Sequence, residues 1–103
     1  MAKTRIELQE ALEQFLGSKN VYYQPPESIK LKYPCILYER SRIQQTYADN
    51  TTYLMNTEYT ITIIHKDADS TLPYDILKAF KLISFDRDYK AENLYHEVYT
   101  IIW

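Results

Sequence analysis

Three groups of residues in this chain carry side chains of the kind that do chemistry, at spacings close enough to act together. His65, Asp67 and Asp69 alternate in His65-Lys-Asp-Ala-Asp69, and Asp75 follows. These are nitrogen and oxygen donors of the sort a divalent cation takes. A calcium loop of this type needs more oxygen ligands and a glycine at its bend, which the segment lacks, so the favoured reading is a solvated strand end leading into a helix-capping turn. Asp86 and Asp88, with Glu92 and Glu97, form the second group. Paired carboxylates serve acid and base catalysis when apolar surroundings raise the pKa of one of them. Here alternation sets Asp86 and Asp88 on an exposed strand face, so the group reads as surface charge. Cys35 and His96 are a thiol and an imidazole that a nucleophilic mechanism needs, yet no Gly-x-Ser-x-Gly elbow or other nucleophile signature accompanies them. They read as a core cysteine and a structural histidine. The expectation is a protein that is not an enzyme, with no catalytic residue, no metal ligand and no cofactor.

Composition bears on the same question. The chain has 103 residues, which predicts a single domain over 1–103, and a domain of this size buries roughly two-thirds of the surface its unfolded chain exposes. Its single cysteine excludes an internal disulfide and suits a reducing compartment. The N-terminal residues lack the apolar run of a signal peptide, and no stretch approaches the ~18 apolar residues of a membrane span, which predicts a soluble protein of the cytosol. Twelve basic and 14 acidic side chains give a formal charge of −2 with the basic residues scattered; that is no footprint for nucleic acid. One glycine cannot build a phosphate-cradling loop. Eleven tyrosines suggest protein contact surfaces, because the ring packs while the hydroxyl still finds a partner.

The elements that must hold these residues are organised around one hairpin. Residues 34–65 read as two long strands joined around Tyr47-Ala-Asp-Asn50. In the second strand Tyr53, Met55, Tyr59, Ile61 and Ile63 fall on one side and Asn56, Glu58, Thr60 and Thr62 on the other, the period of a half-buried antiparallel strand. Residues 3–16 predict a helix with a Leu8, Ala11, Leu12, Phe15 and Leu16 stripe, a Thr4 and Glu7 capping box, and Gly17 as a left-handed stop. Residues 20–24 are a short extended run that stops at Pro25-Pro26, and the linker beyond it carries an edge strand or nothing regular. Ser70 or Thr71 caps a second helix with Pro73 in its first turn and Ile76, Leu77 and Phe80 as its buried stripe. Two further strands, 82–89 and 95–103, form a second hairpin. The expected fold is α+β: a single antiparallel sheet of about four strands with two helices packed on one face. The Tyr59, Ile61 and Ile63 face is expected to pack on Leu12, Phe15, Ile76, Leu77 and Phe80. Tyr38, Leu54, Ile64, Val98 and Ile102 have the opposite parity, which predicts a second apolar face that is covered by another copy or another protein.

Several segments together carry a family resemblance: Asn20-Val-Tyr-Tyr-Gln-Pro-Pro26, Tyr33-Pro-Cys-Ile-Leu-Tyr38, Tyr47-Ala-Asp-Asn50, Phe85-Asp-Arg-Asp-Tyr89 and Asn93-Leu-Tyr-His-Glu97. In their order and spacing the chain resembles the small neck proteins of long-tailed (siphovirus-type) bacteriophages and prophages, the tail terminator or tail completion proteins. The resemblance implies a structural virion protein that assembles as a homo-oligomeric ring, commonly of six copies, at the head-proximal end of the tail tube. The ring stops tube polymerisation and offers the docking surface for the head. Its partners would be the tail-tube protein and a head-tail connector or head-closure protein, with DNA only passing through the lumen and no membrane. Its location would be the virion neck, and the host cytoplasm during assembly. A head-closure or head-tail joining role is the nearest alternative; a small cytosolic enzyme or adaptor is the alternative of another class. The residues expected at oligomer or partner interfaces are Tyr38, Arg42, Tyr47, Asp49, Asn50, Leu54, Val98 and Ile102. The hairpin tip, Gln44 to Thr52, is expected to be a polar connection that meets a neighbour.

Overall fold

The computed structural model describes residues 4–103, except for the side chains of residues 52–54. The elements follow in the order α1 (Arg5–Leu16), β1 (Val21–Tyr23), β2 (Cys35–Ala48), β3 (Thr51–His65), α2 (Leu72–Ala79), β4 (Ile83–Ala91) and β5 (Leu94–Ile102). Helix α1 begins where its sequence requires. The Thr4 hydroxyl accepts from the Glu7 N–H and the Glu7 carboxylate accepts from the Thr4 N–H, so two donors with no partner inside the helix are satisfied reciprocally. Gly17 ends it at φ +78°, a left-handed conformation that a side chain disfavours, and its N–H bonds the Glu13 carbonyl.

The fold is α+β, with one sheet and two helices on one of its faces. The sheet differs from the expected four antiparallel strands: it has five, in the order β1-β2-β3-β5-β4, and it is mixed. The fifth strand is β1, which runs parallel to β2 from Val21↔Ile36 to Tyr23↔Tyr38. A tight hairpin cannot join parallel neighbours; residues 24–34 carry the chain back to the end of the sheet where β2 begins. All other pairings are antiparallel.

On the helix side, Ile36, Tyr38, Ile61, Ile63, Tyr99 and Ile101 meet Leu8 and Leu12 of α1 and Ile76 of α2. Phe15, Phe80 and Trp103 close one border of this core as a string of edge-on rings, with centroids 6.2 Å apart at both contacts. The expected α2 stripe is corrected at Leu77, which is 40% exposed, while Ile76 is fully buried. A helix of eight residues has only two turns, too short for its whole apolar set to face one sheet.

The hairpin β2–β3 is longer than the sheet it belongs to. β5 accompanies β3 only from Glu58 to His65, so the outer halves of β2 and β3 pair with each other alone as far as Ala48↔Thr51. Six ladder pairs beyond Arg42↔Glu58 extend this arm about 20 Å past the sheet, at ~3.3 Å per residue, and the molecule measures 51 × 28 × 23 Å. The tip is not the expected loop from Gln44 to Thr52. Ladder pairs run to the end, and the turn is Asp49-Asn50 alone, with φ of 52° and 65°. Glu92-Asn93, with φ of 53° and 64°, closes β4–β5 the same way. Two residues with positive φ twist in the sense that the flanking strands require, and Asn and Asp tolerate it best after glycine.

Candidate functional site

The arm is amphipathic along its length. Ladder pairing places Ile43, Gln45, Met55 and Thr57 on the helix side, continuing the core face outward, and Arg42, Gln44, Asn56 and Glu58 on the opposite side. On that opposite side the Glu58 carboxylate accepts from Arg42 Nε at 2.9 Å and from Gln44 Nε2 at 2.7 Å. The helix side of the arm holds its apolar side chains in the open. Ile43 is 50% exposed, Met55 56% and Tyr47 64%, with the Tyr47 hydroxyl donating to Gln45 Oε1. A two-stranded ribbon by itself is marginally stable in water, and this one presents its apolar side beyond the end of the helices that cover the rest.

The expected interface residues fall into three groups. Arg42, Tyr47, Asp49 and Asn50 all lie on the arm, exposed, and the Leu54 side chain is outside the described residues. Tyr38 is a correction. It lies on the helix side, 2% exposed, where its hydroxyl donates to Gln9 Oε1 and accepts from Arg5 Nη1 at 3.0 Å. Arg5 also stacks over Tyr23, itself against Tyr38. These tyrosines are used inside the fold, because a buried ring is tolerated when its hydroxyl has partners. The second apolar face is the other correction. Cys35, Ile64 and Val98 lie opposite the helices, yet all are buried within the single chain, Val98 to 3% exposure. Ile102 remains half-buried, lining a shallow groove with Glu58, Lys81, Leu82 and Thr100 at the foot of the arm. Parity assigned Val98 and Ile64 to that face correctly, but parity carries no information on what closes over a face.

The three chemical groups separate in space. Cys35 pairs with Ile64 and Ile64 with His96, so thiol and imidazole stand two strands apart, about 10 Å from the usual strand spacing. Burial pushes the Cys35 thiol up to about 11, which keeps it protonated and a poor nucleophile at neutral pH. His96 is stacked on Tyr89 at 4.7 Å. Asp86 accepts from the Thr100 hydroxyl; Asp67 accepts from the Asp69 N–H, forming the polar turn. Among the described residues no three metal-ligating side chains converge.

His65 does acquire a partner, and it is one that spacing conceals. Its Nε2 faces both Glu97 oxygens, at 2.9 and 2.8 Å, with both side chains buried. Nε2 therefore carries a hydrogen. Nδ1 is buried with no partner among the described residues. The ring stacks on Tyr95 and borders a cleft of about 490 Å³ with Tyr33, Lys66, Asp67 and Ser70. A carboxylate-oriented imidazole can act as a base; here its second nitrogen is closed to solvent. The signal in the sequence was that His65 and Glu97 each sit at core parity on their strands, 32 residues apart. Comparison of the chain with models of known protein families and with the curated proteins found no match.

Proposed function

We propose that this chain is an assembly subunit of the neck of a long-tailed bacteriophage, a tail terminator that forms a ring on the last layer of tail-tube subunits. It stops tube growth there and offers the head its docking surface. The observation that supports this reading is the arm: a ribbon projecting about 20 Å at ~3.3 Å per residue, whose apolar side holds Ile43, Tyr47 and Met55 exposed. A protein that works by contact needs such a surface, and interface energy concentrates in a few anchors of this kind. Binding carries the function and no reaction is required. A head-closure role at the neighbouring position of the neck uses the same features.

The test is made with purified protein and polymerising tail-tube subunits of the phage that encodes it. The expected result is tubes of limited length with the protein at one end, seen by electron microscopy. A variant with residues 44–56 replaced by Asn-Gly, closing the strands after the Ile43↔Thr57 pair, keeps the body folded and loses capping. Tubes that grow unchanged with the parent protein, and carry none of it at either end, remove the terminator reading. Binding to the head connector in place of the tube selects head closure.

A further inference from the structure

The sheet ends in two free edges, and they match. On one side β1 covers β2 only as far as Tyr38, which leaves residues 39–48 without a partner strand on that side among the described residues. On the other, the outer edge of β4 has no partner strand among the described residues along Ile83–Ala91, a similar length. From β2 through β3 and β5 to β4 the direction reverses three times, so β4 runs opposite to β2. A second copy placed beside the first without being turned over therefore sets its β4 antiparallel to the free part of β2, with both helical layers on the same side. β1 is the stop that limits this pairing to the arm.

The side chains agree with that placement. Ile43 and Met55 are half-exposed on the helix side of the arm, and Phe85 is 47% exposed on the same side of β4. Arg40 lies on the helix side, opposite Tyr59, with no carboxylate partner among the described residues. Asp88 lies on the same side of β4, opposite Glu97, with no cationic partner among the described residues. Each edge strand also carries a bulge, at Arg40/Arg42 and at Phe85/Arg87. Bulges and charges blunt an edge against indiscriminate pairing, which leaves the choice of partner to the apolar stripe and the opposite charges.

We propose that the arm's free β2 edge is the docking surface for β4 of a second copy of this chain, joined head to tail so that one sheet continues through successive subunits. The contact is heterologous, and such contacts give a closed ring or an open filament according to the rotation between copies. It deepens the ring reading above and rests on that reading only for closure.

A head-to-tail contact has a signature that a symmetric one lacks. Ile43→Asp spoils the arm and leaves β4 intact; Phe85→Asp spoils β4 and leaves the arm intact. In light scattering the parent is expected to be larger than a dimer, and each variant alone a monomer with the circular dichroism of the parent body. An equimolar mixture of the two forms a dimer and nothing larger, because only one productive pairing survives. Asp88→Arg, on the same side of β4 as Phe85, replaces Phe85→Asp if the loss of the Phe85 contact with Tyr99 unfolds the chain. A monomeric parent, self-association of either folded variant, or a mixture that stays monomeric overturns the proposal. The expected mixing behaviour together with failure to cap tail tubes leaves the contact standing and removes the neck reading.

Discussion

Ile61 and Ile43 belong to the same hairpin and have the same side chain, so truncating each to alanine isolates the effect of position. Ile61 is fully buried at the centre of the sheet, with Tyr38 on one neighbouring strand and Tyr99 on the other. Removing three carbons forfeits about 2.4 kcal/mol of transfer free energy at ~0.8 kcal/mol each. Rigid neighbours leave a cavity, and truncations of this kind reach about 2–5 kcal/mol. Tyr99 does not relax freely into that space, since its hydroxyl is bound to the Pro73 carbonyl at 2.9 Å, which argues for the upper half of the range. Ile43 is already half-exposed on the arm, so Ile43→Ala is expected to cost no more than about 1 kcal/mol. Urea unfolding followed by circular dichroism measures both. With slopes of ~1–3 kcal/mol per molar for small domains, Ile61→Ala shifts the midpoint by about 1 M or more and Ile43→Ala by a few tenths. Comparison is made at a concentration where the protein is monomeric. Equal shifts for the two variants would refute the division into covered body and uncovered arm.

Leu12→Ala, at a fully buried position of α1, is expected to cost about 2–5 kcal/mol by the same reasoning, read from its urea midpoint. Thr4→Ala removes one half of the capping box and should cost about 1 kcal/mol; a melting curve identical to the parent's would show that the cap contributes nothing. The Cys35 thiol ionises at 9.0 in an exposed chain and is pushed up to about 11 by burial. Its folded pKa is the higher one, so its contribution to stability is complete below pH 9 and disappears as pH rises towards 11. Burial raises Tyr38, Tyr59 and Tyr99 as well, and they steepen the loss at higher pH. Cys35→Ala should flatten the fall in urea midpoint above pH 9, and an unchanged slope there would count against the assignment. Asn50→Gly, at φ 65°, should be neutral or slightly stabilising in thermal melts, whereas Asn50→Val should destabilise the turn.

Local chemistry was legible in the residues themselves. The capping box at Thr4 and Glu7, the glycine stop at position 17 and the alternation of Tyr59, Ile61 and Ile63 each depend on neighbours within a few positions, so the chain states them directly. The turn at Asp49-Asn50 was visible as turn material, but that it closes in two residues became clear only from the ladder running to Ala48↔Thr51. What tertiary structure decided was which surfaces meet. Tyr38 had the parity of the far face when counted from Cys35 and Leu37, and the ladder with Ile61 turned it to the helices. Val98 and Ile64 were placed on the correct side but expected to need another copy or another protein to cover them, whereas the single chain buries both, because alternation orders side chains without saying what covers them. His65 and Glu97 looked like members of two unrelated acidic groups until β3 and β5 aligned side by side. The direction of β1, parallel where hairpins alone would make it antiparallel, likewise rests on a return path over residues 24–34 that no local pattern encodes. Periodicity is a property of one strand, whereas register, burial and pairing are properties of two, and they exist only once the chain has brought distant segments together.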